Sequence, residues 1–109
     1  MSAYVLLMIG IIVEVIAASA LKASDGFTRL LPSAVVVLGY AVTFYLLTLI
    51  MRRLDLGYVY AVWSGLGTAG VALTGILVFG DAVTWPRIAG TALVIIGVVV
   101  LNLDGGGVS

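Results

Sequence analysis

Glu14 is the one residue in this sequence whose type and place together demand chemistry. It stands ten residues into an apolar run, about 15 Å along a helix at about 1.5 Å per residue, close to the midplane of a bilayer. A carboxylate at that depth cannot extend to water, and inserting it costs about 3 kcal/mol. It therefore faces a bundle interior or a wet cavity and marks an ion path. There it can carry a proton or hold a cation. The competing reading is an acid that only hydrogen-bonds a neighbouring helix and holds an assembly together.

The surroundings of Glu14 favour the first reading. At helical spacing its neighbours are Leu7, Gly10, Ile11, Ala17, Ala18 and Leu21, so small side chains flank the acid by a turn on either side. Small residues leave room for a ligand, and they equally permit close helix packing. Tyr40, Phe44 and Leu47 share one face of the second apolar run, and Tyr60, Trp63 and Gly67 share one face of the third. Aromatic stripes alone are ordinary packing. Around a buried carboxylate they supply contact area and ring quadrupoles, the requirements for holding a lipophilic cation. The candidate site is thus Glu14 with Gly10, Ile11, Ala17, Ala18, Tyr40, Phe44, Leu47, Tyr60 and Trp63.

Four elements must position these residues. Cutting the chain at its charges and turn residues leaves apolar segments at 4–21, 32–51, 58–79 and 86–103, each about the 20 residues that cross a hydrocarbon core. With 63% hydrophobic and 9% charged residues, the 109-residue chain has lipid as its solvent. The expected fold is an all-α membrane protein, a single four-helix transmembrane domain over 1–109 with a flexible tail at 104–109. The connector from Lys22 to Leu31 carries Gly26, and Pro32 then sits where a first helical turn tolerates proline. Arg52 to Gly57 forms the second break, and Gly80 to Pro86 the third. Tyr4, Tyr58 and Trp85 at segment ends fit interfacial anchors. Ala18-Ser19-Ala20 has the look of a cleavage site, but no basic stretch precedes the first run and Glu14 interrupts it, so that run is expected in the mature protein.

Several function classes are excluded by what is missing. There is no Cys and no His, so disulfides, thiolate chemistry and zinc-type sites are not expected, and neither a metal nor another cofactor is called for. Five basic and five acidic residues cancel, which leaves no footprint for a nucleic acid. The expected partners are protons, cationic hydrophobic small molecules and the lipid bilayer.

Charge also bears on topology. Lys22, Arg29 and Arg87 fall on one side of the membrane, Arg52 and Arg53 on the other. This near balance gives almost no orientation preference by the positive-inside rule. Two readings stay open: an orientation set by some other signal, or copies that insert both ways and pair antiparallel. Ser64-Gly65-Leu66-Gly67 places two helix-weakening glycines halfway along the third segment, where a hinge is expected. Gly90 and Gly97, seven apart, share a face of the fourth segment suited to a helix contact between copies. A homodimer with two Glu14 side chains is the economical way to enclose a drug-sized site.

Glu14-Val15-Ile16, the Lys22-to-Leu30 stretch with Pro32-Ser33, and Ala61-Val62-Trp63-Ser64-Gly65-Leu66-Gly67 resemble the small multidrug resistance family across nearly the whole chain. Within it the sequence is similar to the quaternary-ammonium-exporting branch. The guanidinium-exporting branch typically has a tryptophan shortly after the glutamate, where this chain has Ala17 and Ala18, and lacks the tyrosine found here as Tyr40. The resemblance implies a multi-pass protein of the inner membrane, an antiparallel dual-topology homodimer that exchanges protons for cationic drugs by alternating access. It implies that Glu14 binds both proton and substrate, that Tyr40, Tyr60 and Trp63 line the site, that Gly65 and Gly67 form a kink, and that Gly90 and Gly97 pack the dimer contact. Ala17 and Ala18 depart from the usual Gly and Thr, removing a hydroxyl beside the acid. The alternatives are export of guanidinium or small amines, service as half of a heterodimer, or, in another class, a proton-conducting or structural proteolipid subunit.

Overall fold

The computed structural model describes residues 2–103, and their regular structure is entirely helical. Helix α1 spans Ala3–Ala23, α2 Leu30–Ile50, α3 Leu56–Phe79 and α4 Trp85–Asn102. All four are long and apolar enough to cross a membrane. The segment bounds read from the sequence lie within two residues of these; the expected tail at 104–109 lies outside the described residues.

The described chain divides between Arg52 and Arg53 into two compact units, each a helical hairpin. In the first, α1 begins at Ser2, whose hydroxyl accepts from the Tyr4 N–H at 3.1 Å and satisfies one of the orphan donors of the first turn. It ends at Ser24, which is fully buried and organises the turn. The Ser24 hydroxyl donates to the Leu21 carbonyl at 2.7 Å and accepts from the Phe27 N–H at 3.1 Å. Its carbonyl accepts from the N–H groups of Thr28 and Arg29 at 2.9 and 3.1 Å. Asp25, Gly26 and Phe27 all take left-handed conformations, with φ of 49°, 69° and 66°. Glycine does so freely, whereas a bulky Phe does so only when its surroundings hold it there.

Helices α1 and α2 pack closely at Ala17 and Gly39. A Cβ built on Gly39 would lie 2.8 Å from the Ala17 Cβ, inside van der Waals contact. Lipid tails are as apolar as leucine, so burial drives little here, and small residues that bring backbones together provide the dispersion contact instead. Pro32 falls in the first turn of α2, as expected.

In the second unit, α3 ends on Gly80 at φ 72°, a left-handed position that glycine fills without strain. The Asp81 N–H then donates to the Gly75 carbonyl at 2.9 Å, and the Asp81 carboxylate folds so tightly against Gly75 that no Cβ would fit there. Helix α4 starts at Thr84, whose hydroxyl accepts from the Arg87 N–H at 3.4 Å, with Pro86 in the first turn. Helices α3 and α4 meet at Gly65, where a Cβ would collide with Val98 and crowd Val94 at 3.2 Å. A large share of Leu, Ile and Val side chains stays exposed, which in water would favour aggregation and in a bilayer is simply solvation.

Candidate functional site

Helix α1 carries Glu14 at its middle, half-buried in the described chain. Gly10, Ile11 and Ala17 on the same side of the helix are buried, and Ala18 is half-buried. Ala17 is fully buried and is the residue that Gly39 packs against. One residue after Gly39 comes Tyr40, whose side chain lies close enough to Glu14 to interact electrostatically with its carboxylate. The close seam at Ala17 and Gly39 thus brings the acid and the phenol together, one turn from the point where the two backbones approach.

A residue that sequence reasoning passed over joins them. Thr43 is 3% exposed, and its hydroxyl has no hydrogen-bond partner. It lies three residues after Tyr40 and so on the same side of α2. In an antiparallel hairpin, four residues along α2 from Gly39 matches four residues back along α1 from Ala17. That puts Thr43 level with Val13, beside Glu14. A buried hydroxyl without a partner costs about 1–3 kcal/mol and asks for an explanation. The signal was present in the sequence: Val36, Thr43 and Ile50, the buried residues of α2, stand seven apart, and the only polar one is level with the acid.

The other members of the α2 face separate. Leu47 is half-buried, while Phe44 is 65% exposed and points away from the hairpin interior. The first hairpin therefore assembles Glu14, Tyr40 and, level with them, Thr43 from the residues of α1 and α2.

On α3, Trp63 and Gly67 are buried but Tyr60 is 65% exposed, so the stripe read from the sequence straddles the edge of the buried face. Ser64 is exposed. Helix α3 runs unbroken through Gly65 and Gly67, and Gly65 serves there as the seat for Val98 of α4. Gly90 and Gly97 look out onto open space, on a helix whose one buried residue is Val98. Tyr58, expected to face the headgroups, is instead 7% exposed, with its hydroxyl donating to Asn102 Oδ1 at 2.7 Å. Tyr4 and Trp85 are exposed as interfacial anchors should be. An open groove of about 860 Å³ lies between α3 and α4, lined mostly by apolar side chains with Thr68 and Thr91 among them and Asp81 and Arg87 in the lining. No group of three or more acidic, His or Cys side chains that could hold a metal occurs among the described residues.

The first hairpin thus carries one mid-helix carboxylate with a phenol nearby, in a chain of four helices able to cross a membrane. The sequence model of the family described as Small Multidrug Resistance protein matches residues 2–94. The chain belongs to the small multidrug resistance family. It is 47% identical over 103 residues to the quaternary ammonium compound-resistance protein QacE of Escherichia coli, covering 94% of each chain. It is 45% identical over 102 residues to the multidrug resistance protein mmr of Mycobacterium leprae, covering 93% of this chain and 95% of the relative. It is also 45% identical over 101 residues to the nicotine metabolites export pump subunit NepA of Paenarthrobacter nicotinovorans, covering 93% and 87%. Small multidrug resistance proteins are efflux transporters rather than enzymes, and the four spans make this one a multi-pass protein of the inner membrane.

Proposed function

We propose that the chain exports lipophilic and quaternary ammonium cations in exchange for protons, by alternating access in an antiparallel homodimer. The observation that carries this reading is the Glu14 carboxylate, halfway along a helix able to cross a membrane, with Tyr40 close enough to interact with it electrostatically. A buried carboxylate needs a positive partner, and in a site with aromatic walls that partner is a proton or a bulky cation. The two compete for Glu14 by mass action. If the two access states interconvert readily only when the site is loaded, a proton gradient drives the cation outward. The membrane potential adds about 2.3 kcal/mol per charge per 100 mV when net charge moves.

In this reading Tyr40, Phe44, Tyr60 and Trp63 supply ring faces to the cation. Gly65 and Gly67 allow α3 to bend between states, and Gly90 and Gly97 give α4 a flat face for its partner copy. The open space at both α4 glycines is consistent with that use. Guanidinium, small and polar, wants a tight ring of acceptors and should be carried poorly beside an aromatic cation.

Adding tetraphenylphosphonium to the purified protein at mildly alkaline pH should release protons, and Glu14→Gln should abolish both release and binding. Retained high-affinity binding in that variant would remove Glu14 from the site. A proteolipid subunit would bind no cation and release nothing. The relative NepA, named as a subunit of an export pump for nicotine metabolites, supports a second reading in which the chain pairs with a different subunit. Transport by the purified chain alone in proteoliposomes would dismiss it.

A further inference from the structure

Tyr58 and Asn102 have no place in the cation chemistry, yet they make a polar side-chain link between α3 and α4. Tyr58 stands at the third position of α3 and Asn102 at the end of α4. The Tyr58 hydroxyl donates to Asn102 Oδ1 at 2.7 Å, while Asn102 Nδ2 donates to the Val98 carbonyl at 2.9 Å. The amide is thus held at both ends, so its oxygen is fixed in the direction of the phenol. Seven residues after Tyr58, on the same side of α3, Gly65 receives Val98 and Val94. Val94, Val98 and Asn102 form a single i, i+4, i+8 stripe on α4, and Tyr58 and Gly65 are its counterpart on α3.

Between those two points of attachment lies the two-turn stretch that carries Tyr60 and Trp63. The contact at Gly65 is apolar and non-directional, and lets the helices slide or roll by fractions of an ångström. A phenol–amide hydrogen bond does not, because its strength falls steeply with distance and angle, and an unpaired partner in a low-dielectric setting is costly.

We propose that the Tyr58–Asn102 hydrogen bond is a positioning contact that fixes the rotation and register of α3 where it presents Tyr60 and Trp63 to the cation. The proposal rests on the reading that these two rings line the site. Tyr58 and Asn102 touch no substrate in it and act through the rings.

The test uses the full chain in a Trp85→Phe background, so that Trp63 is the sole tryptophan. Tyr58→Phe, Asn102→Leu and their combination are compared by tetraphenylphosphonium affinity and by acrylamide quenching of Trp63 without ligand. Tyr58→Phe removes one oxygen and leaves the buried ring, so the fold should survive. Interhelical hydrogen bonds in membranes correspond to about a threefold change in an equilibrium, and up to about twentyfold. Each single variant should weaken binding by about that factor, the pair should be no worse than either single, and Trp63 quenching should shift in the same non-additive pattern. Unchanged quenching in Tyr58→Phe, or effects that simply add, overturns the proposal. If the parent binds no tetraphenylphosphonium, the cation-site reading fails, and the unliganded quenching pattern still decides whether the bond positions Trp63.

Discussion

The two hairpins solve the same packing problem with different materials. Helices α1 and α2 close on a backbone-to-backbone seam, Ala17 on Gly39, with the acid one turn away. Helices α3 and α4 are joined at two points, Val98 on Gly65 and Tyr58 to Asn102, and leave an open groove along Ala72, Pro86 and Ile95. The lesson lies in rigidity. Near the carboxylate the helix separation is set by groups that cannot rotate away; in the second hairpin a phenol–amide hydrogen bond and valine side chains hold the helices, and space remains beside them. The connecting turns differ in the same sense. The first is a hydrogen-bonded knot around buried Ser24 with three left-handed residues, and the second relies on the single left-handed Gly80.

The largest expected effect tests whether the ionisable chemistry belongs to the first hairpin, the second lending only ring faces. Glu14→Gln should reduce resistance to a cationic biocide to that of cells without the protein, whereas Asp81→Asn, in the lining of the second hairpin's groove, should leave at least half of it. Equal losses from both would end the division of labour between hairpins.

Next comes the effect of insertion, which acts on both hairpins at once. Moving one or two charges should bias a chain with two basic residues on one side and three on the other. Two lysines added after position 104 should give one orientation by carboxyl-terminal reporter tags and little resistance. Coexpression with a chain biased oppositely, by lysines in the 22–29 connector, should restore resistance. Full activity of the biased chain by itself contradicts the antiparallel pairing.

A smaller effect sharpens the comparison of seams. At Gly39 a Cβ would press on the Ala17 Cβ, while at Gly65 it would overlap a Val98 methyl more deeply and crowd Val94, both β-branched side chains with one strongly preferred rotamer in a helix. Gly39→Ala should therefore destabilise by about 1–3 kcal/mol, and Gly65→Ala by more, in steric-trapping or denaturant unfolding measurements. Ala17→Gly should relieve the first and have no bearing on the second. Equal costs at the two glycines would show that the seams are alike.

The smallest concerns Thr43. Thr43→Val removes a buried hydroxyl that has no partner, so stability should hold or rise by about 1 kcal/mol. If the hydroxyl serves the Glu14 site, tetraphenylphosphonium affinity should nevertheless fall severalfold in the same variant. A gain in stability with unchanged affinity assigns Thr43 to packing alone.

How much of this was legible beforehand follows from how local each feature is. The spans, the turn at Gly26, the helix starts at Pro32 and Pro86 and the mid-helix place of Glu14 each depend on a stretch of about 20 residues or fewer, and the sequence placed them within two residues. The aromatic stripes were less secure, since helical periodicity assigns a face but not its edges. Tyr60 and Phe44 lie outside the buried arc while Trp63 lies within it. Tyr58 misled, because an aromatic at a span end has the same local signature whether it meets headgroups or a helix 44 residues away in sequence.

By itself, then, the sequence determined the solvent, the number of spans and the presence of one acid that lipid could not tolerate without a purpose. These follow from composition and from distance along a helix, which no fold can alter. Tertiary structure alone decided that Gly39 is the seat for Ala17, that Tyr40 comes close to Glu14, that Thr43 is buried without a partner, and that Gly65 receives Val98. Each of these is a property of two helices together: their rotation and offset select which small residue becomes a contact, and a shift of about 100° per residue would have selected another.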